Sequence, residues 1–144
     1  MYLKPEELED TVLQRAEKYK KVNENEVRYE EYLCSDADIV IVSFGITARI
    51  SKSAVNEARK NGIKAGLLRP ITLSPFPSKK LCELADSASA FLSVELNMGQ
   101  MVNDVRLATE CKKPVYFYGR TGGSMPSSED VYEQILKISG GLKK

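Results

Sequence analysis

At 144 residues the chain suits one domain, large enough to bury about 68–70% of the surface that its unfolded form exposes. Its 21 Lys+Arg stand against 20 Asp+Glu, a formal charge of +1, which speaks against wholesale attraction to nucleic acid or to a membrane. Histidine is absent and no nucleophile–base spacing is present, so a self-contained acid–base or hydrolytic enzyme is not indicated.

The first 21 residues predict a helix from Lys4 to Lys21, with Pro5 tolerated in its first turn. Leu8, Val12, Ala16 and Tyr19 fall at i, i+4, i+8 and i+11, one narrow apolar stripe. Acidic residues (Glu6, Glu7, Glu9, Asp10) crowd its start and basic ones (Lys18, Lys20, Lys21) its end, as the helix dipole favours. Such a helix buries little by itself and is expected to be a connector packed on a neighbour. Val27 to Cys34 interleaves aromatic and aliphatic residues with charges and reads as an edge strand, its direction left open.

Asp38 to Ser43 is an uninterrupted β-branched run, the pattern of a strand covered on both faces. Thr47 to Asn61 then predicts a helix with Ile50, Ala54, Val55 and Ala58 on one side and Gly62 as its stop. Lys64 to Leu68 is the next strand. Its connection, Arg69 to Pro77, carries three prolines that exclude regular structure. Ser78 is the expected cap of a helix bearing Leu81, Leu84 and Ala85. Ala90 to Glu95 is a strand, Gln100 to Thr109 a helix, and Pro114 to Tyr118 the last strand. Ser127 or Ser128 caps a final helix lined by Val131, Ile135 and Ile138. Gly140-Gly141 is expected to end the fold, leaving a frayed tail.

Alternation of β and α requires parallel strands joined by right-handed crossovers. The expected architecture is therefore three layers, α/β/α, with four parallel strands and the Val27–Cys34 strand at an edge. The domain plan is a connector helix over 1–24, an α/β domain over 25–140 and a tail over 141–144. In such a sheet the polar crevice lies beyond the carboxyl ends of the strands.

The residues expected at those ends are Arg69, Glu95, Asn97 and the run Gly119-Arg120-Thr121-Gly122-Gly123-Ser124. The glycine-rich run exposes backbone N–H groups beside Arg120 and precedes a helix. It suits a contact loop to another domain or subunit first, a small anion or cofactor tail second, and a plain turn third. Glu95 is read as an ion-pair partner of Arg69 or Arg120 rather than as a base, because no second titratable group accompanies it. Met98 and Met101 are expected to fill an interface. Ser43-Phe44-Gly45 has one glycine where a dinucleotide fold carries three, so a nicotinamide or flavin site is not indicated.

The cysteines Cys34, Cys82 and Cys111 form no C-x-x-C pair, and neither an iron–sulfur cluster nor a zinc ribbon can be assembled from them alone. Inert, reduced thiols in a cytoplasmic protein are the expectation. No apolar run approaches about 18 residues, and the first residues lack the apolar core of a signal peptide.

Five segments in order carry a family resemblance: Val27-Arg28-Tyr29-Glu30-Glu31-Tyr32; Ser43-Phe44-Gly45 with Ala48-Arg49; Leu68-Arg69-Pro70-Ile71-Thr72-Leu73 with Pro75-Phe76-Pro77; Val94-Glu95-Leu96-Asn97-Met98-Gly99-Gln100-Met101; and Gly119-Arg120-Thr121-Gly122-Gly123. Together they resemble the C-terminal part of the alpha subunit of 2-oxoacid:ferredoxin oxidoreductases, of the 2-oxoisovalerate and 2-oxoglutarate types, over about residues 5 to 138. The resemblance implies a transketolase C-terminal-like domain: five strands, one antiparallel to the rest. It also implies an enzyme complex that oxidatively decarboxylates a 2-oxoacid on thiamine diphosphate, passes electrons through iron–sulfur clusters to ferredoxin and forms an acyl-CoA. That family's alpha subunit carries a thiamine-facing N-terminal domain that these residues do not include. The chain is then expected to be an excised domain or a split-gene product, with thiamine diphosphate, Mg and the clusters held by partner domains and subunits. No catalytic or metal-ligating residue is expected in it. The rival reading is a free-standing regulatory module that takes an anionic effector in the strand-end crevice.

Overall fold

A computed structural model describes residues 4–142. The elements in chain order are α1 (Pro5–Asn25), β1 (Tyr29–Tyr32), β2 (Ile39–Val42), α2 (Gly45–Lys60), β3 (Ala65–Pro70), α3 (Ser78–Ser87), β4 (Ala90–Glu95), α4 (Met101–Ala108), β5 (Val115–Gly119) and α5 (Ser128–Leu142). They build a three-layer α/β/α fold around a five-stranded sheet of order β1-β3-β2-β4-β5. The strands β3, β2, β4 and β5 are parallel, and β1 runs antiparallel on the outside of β3.

The sequence pattern explains the layers. Strand side chains alternate between faces, and the apolar residues of β2 and β4, both strands buried throughout, feed both. Val40, Val42 and Phe91 meet α3 and α4 through Leu81, Leu84, Ala85, Met101 and Val105. Ile39, Ile41, Leu92 and Val94 meet α2 and α5 through Ala54, Val55, Ala58, Val131, Ile135 and Ile138. The chain moves from β2 outward to β3, then crosses back over β2 to β4. Right-handed crossovers therefore put α2 on one face and α3 on the other. The strand order reverses between β2 and β4, which opens the crevice beyond Val42 and Glu95.

Several boundaries differ from the sequence expectations. Helix α1 continues past Lys21 to Asn25 and buries none of its residues. Strand β1 keeps only Tyr29–Tyr32, because Leu33 turns the chain at φ 54° and Cys34 drops into the core. Strand β3 runs on through Arg69 and Pro70, held by β1 in the register Glu30↔Arg69 and Tyr29↔Pro70. Ser78 is the first helical residue rather than a cap: Pro77 precedes α3 and no side chain caps it.

At α5 the choice between two serines is resolved by a reciprocal pair. The Asp130 N–H donates to Ser127 Oγ (3.0 Å) and the Ser127 N–H donates to Asp130 Oδ2 (2.8 Å), a capping box closed by an aspartate. Gly140 and Gly141 do not stop α5, which carries them on to Leu142. The tail residues Lys143 and Lys144 lie outside the described residues. Among the described residues no helix is long and apolar enough to cross a membrane.

Candidate functional site: the rim at the strand ends

The connections that follow β2, β3, β4 and β5 all emerge at one end of the sheet, because those four strands are parallel. They are not polar throughout. Ile46 after β2, Ile71 and Leu73 after β3, Leu96 and Met98 after β4, and Met125 after β5 are all exposed, Met98 to 84%. Single exposed apolar residues are ordinary, but one or two just past each of four neighbouring strands, Ile46 in the first turn of α2 and the others on loops, make a rim that water covers poorly. The sequence reading found only Met98 of this set. Ile71, Leu73 and Leu96 stood in the family segments without an assigned role, Ile46 and Met125 lay outside them, and only the topology brings the set to one end.

The crevice floor beneath the rim is closed by structural hydrogen bonds. Ser43 Oγ, fully buried, lies 2.7 Å from Thr47 Oγ1 and 2.9 Å from the Val94 carbonyl, tying β2 to β4 at the switch point. Glu95 is also buried, at 1% exposure. Its Oε2 accepts from the N–H groups of Gln100 (3.1 Å) and Met101 (2.8 Å), and its Oε1 from the Val102 N–H and the Ser93 hydroxyl (2.8 Å each). Burial alone pushes this carboxyl up. The Gln100 amide, the Ser93 hydroxyl and the Met101 and Val102 amides outweigh that and hold it below the ordinary carboxylate range. An ionised carboxylate at the start of α4 answers the unpaired donors and the positive end of the helix dipole.

This corrects the expected pairing of Glu95 with Arg69 or Arg120. Glu95 is the floor of the β4–α4 turn and does not reach the rim. Arg69 instead reaches Glu30 across the β1–β3 ladder, with Nη1 2.8 Å from Oε2. Arg120 meets Glu95 only through the backbone, its N–H donating to the Glu95 carbonyl at 3.2 Å. Met101 is likewise not an interface residue; it is buried in the core against α3. The cap was findable in the sequence, since an acid five to seven residues ahead of a helix start can fold back onto its amides.

The remaining expected residues form the tip of the rim. Asn97 Oδ1 accepts from the Gly99 N–H at 2.7 Å, closing the β4–α4 turn. Gly119 is required by space, because a Cβ there would strike the Asn97 carbonyl and the Phe117 ring. Arg120, Thr121, Gly122, Gly123 and Ser124 are exposed, with Gly122 and Gly123 at φ 64° and 82° and the Ser124 N–H bonded to the Thr121 carbonyl at 3.2 Å. The structure therefore brings Asn97 and the Gly119–Ser124 loop together, sets Arg69 toward the β1 edge and buries Glu95.

A second feature escaped the sequence reading. Between β1 and the start of α2 lies a cleft of about 560 Å³ lined by Glu30, Glu31, Tyr32, Arg49, Lys52 and Arg69 among others. Lys52 Nζ sits 4.4 Å from the centre of the Tyr32 ring, and Arg49 takes no part in an ion pair among the described residues. Glu31 is drawn away by Lys80, 3.0 Å distant.

The side chains present do not fit the cofactors of a thiamine or iron–sulfur enzyme. Glu95, the buried acid at the strand ends, is consumed by four hydrogen bonds. Of the thiols, Cys34 is buried, Cys82 is half-buried on α3 and Cys111 is exposed beyond α4. Among the described residues no group of three or more Cys, Asp or Glu side chains is placed to hold a metal ion.

These features define a class: a doubly wound α/β domain whose strand-end face is apolar at the rim and spent at its floor. Residues 37–131 match the family model described as pyruvate:ferredoxin oxidoreductase core domain II, and the chain belongs to that family. It is 49% identical over 140 residues to the ketoisovalerate oxidoreductase subunit VorB of Methanothermobacter thermautotrophicus, covering 97% of this chain and 40% of that one. It is 33% identical over 110 residues to the 2-oxoglutarate synthase subunit KorA of the same organism, covering 76% of this chain and 29% of that one. The chain thus spans well under half the length of these curated relatives.

Among solved structures, the 2-oxoglutarate:ferredoxin oxidoreductase of Magnetococcus marinus superimposes with a TM-score of 0.81 at 21% identity, over 94% of this chain and 24% of that one. A split-gene transketolase does so with 0.64 at 21% identity, over 76% and 40%. Both likenesses establish the fold, including the transketolase C-terminal-like arrangement that the sequence resemblance implied.

Proposed function

We propose that this chain is the non-catalytic docking domain of a thiamine-diphosphate-dependent 2-oxoacid:ferredoxin oxidoreductase, working in the cytoplasm. Residues 1–24 serve as connector and the α/β body as the part that seats the thiamine-binding domain and shapes the entrance to its site. The observation that carries this reading is the rim: exposed apolar residues just past all four parallel strands, above a floor whose buried acid, Glu95, is already engaged. An apolar rim ringed by polar loops is the anatomy of a protein contact. In this reading Asn97 and the Gly119–Ser124 loop meet the partner, and Arg69 borders the contact. Thiamine diphosphate, Mg and the iron–sulfur clusters are held by the partner domains, and ferredoxin and CoA are substrates of the whole assembly.

The test is coexpression with the thiamine-domain portion of a VorB-type subunit and the remaining subunits. A stable complex that turns over a branched-chain 2-oxoacid is expected, with no turnover by this chain alone. Replacing Leu73 and Met98 together by Glu should abolish co-purification while leaving the isolated domain folded. Copurification undiminished by that double change would sink the proposal.

The Arg49–Lys52–Arg69 cleft favours one second reading, a regulatory module for an anionic effector. Calorimetric titration with CoA, thiamine diphosphate and inorganic phosphate decides it. Saturable heat that is lost in Arg49→Ala supports the module, and no heat with any of them removes it.

A further inference from the structure

The charges lining the cleft between β1 and α2 do not balance. Arg69 and Glu30 are register partners on β3 and β1 and neutralise each other at 2.8 Å. Glu31 is spent on Lys80 of α3, 3.0 Å away. Arg49 and Lys52 remain. They stand three residues apart on α2, hence on one side of the helix, and both are exposed. Among the described residues neither forms an ion pair. Lys52 lies instead over the Tyr32 ring, 4.4 Å from its centre, and the Tyr32 hydroxyl donates to Asn56 Oδ1 at 2.7 Å, which fixes the ring. A cation over a ring is attracted to it but keeps its charge. Gly45, at the positive start of α2, opens onto the same cleft and adds to the field.

The cleft is continuous with the apolar rim. Ile46 follows Gly45, and Ile71 lies two residues beyond Arg69; both are exposed. Resting on the docking reading of that rim, we infer that the cleft is the charged flank of the same contact. It receives an acidic segment of the thiamine-domain partner, whose carboxylates meet Arg49 and Lys52. An apolar centre with a charged border is the common build of a protein contact. A free polyanion is the poorer occupant. Arg49, Lys52, Glu30 and Glu31 are all exposed, so the walls do not enclose a small ligand as such sites do. The buried lining residues, Ala48 and Leu67, are apolar and offer no polar side chain to orient one. Glu30 repels a compact polyanion, whereas single carboxylates along a chain reach Arg49 and Lys52 separately. Charges at the border of a contact act chiefly on encounter: they steer the partner in and are screened by salt.

The test is stopped-flow association of the full chain with the remaining subunits, expressed together without it, from about 50 to about 500 mM salt. The association rate constant should fall roughly tenfold or more across that range. Arg49→Glu/Lys52→Glu should slow association at low salt by roughly tenfold or more and leave dissociation nearly unchanged. The same change of charge at the opposite end of the sheet, Lys64→Glu/Lys113→Glu ahead of β3 and β5, should not. Arg49→Ala is the milder variant, with a smaller loss in the same direction, should the double reversal fail to fold. Carbodiimide, which joins an amine to a touching carboxylate, should couple Lys52 to an Asp or Glu of the partner, as mass spectrometry would locate. That product should vanish in Lys52→Arg, whose association rate stays native. An association rate indifferent to salt, equal slowing by both double reversals, or no Lys52 coupling in the formed complex overturns the acidic segment. The docking reading survives those outcomes as long as Leu73→Glu/Met98→Glu still abolishes the complex. If the unaltered chain forms no complex, both fall. Saturable heat with inorganic phosphate that is lost in Arg49→Ala gives the cleft to a free anion and overturns the inference as well.

Discussion

Glu95 shows how one side chain can be both buried and charged without being a reagent. Three backbone amides and a hydroxyl satisfy its oxygens, and the start of α4 supplies the field. Replacing Glu95 by Gln keeps the shape but leaves amides without an acceptor, a loss of about 1–3 kcal/mol readable from urea midpoints. Because the folded carboxyl titrates below its ordinary value of 4.5, its contribution is complete above that pH and fades as pH falls through the lower folded value. The difference between the native chain and Glu95→Gln should therefore be constant near neutrality and close on acidification; a gap that widens in acid would contradict the cap. Cys34 makes the opposite case: burial pushes its thiol up to about 11. With a thiolate so scarce and shielded, a thiol reagent at mild alkaline pH should label Cys82 and Cys111 in the folded protein and reach Cys34 only on unfolding. Leu33 is held at φ 54° although its side chain is partly exposed. Leu33→Asn, which visits that region more readily, should raise stability by about 0.5–1 kcal/mol in a thermal melt.

At the scale of elements, what matters is which edges and faces are already occupied. Strand β1 is short and carries Glu30 and Glu31, paired with Arg69 and Lys80, so charge guards that edge of the sheet. Strand β5 carries no charge and half exposes Tyr116 and Phe117, yet its end is tightly fixed. Gly119 lets the Phe117 ring and the Asn97 carbonyl pass close to the backbone. Gly119→Ala must push one of them aside and should cost about 1–3 kcal/mol, seen as a lower melting temperature with the sheet content unchanged. Helix α1 contributes no buried residue, and its removal should leave the melting temperature of the body nearly where it was. A large drop would show that α1 supports the sheet.

At the scale of the whole molecule the strand-end face is where the exposed apolar side chains gather, and the docking proposal is tested there. Six exposed apolar side chains past the ends of four strands are tolerable on a monomer but are better buried against a partner. The Leu73→Glu/Met98→Glu pair should accordingly lower affinity for the thiamine-domain partner without changing the unfolding midpoint of the isolated chain, as calorimetry of each alone and of the mixture would report. The layers, the strand count and the existence and order of the elements were legible in the sequence, because strand and helix periodicity are local properties written in runs such as Ile39–Val42 and in the spacing of Ala54, Val55 and Ala58; the ends of α1, β1, β3 and α5 were not, because tertiary pairing and packing set them. The five family segments were legible in the same way. What only the tertiary structure decided was where polar groups go once the chain has closed. Arg69 turned to Glu30 because β1 lies antiparallel beside β3, and Ser43 tied β2 to Val94 because β4 lies next to it, whereas the fold-back of Glu95 onto α4 is local and was within reach of the sequence. The scattered residues Ile46, Ile71, Leu73, Leu96 and Met125 became one rim because parallel strands deliver their connections to a single end. Side-chain partners across 30 to 50 positions depend on strand order, and strand order is a property of the packed sheet rather than of any stretch of the chain.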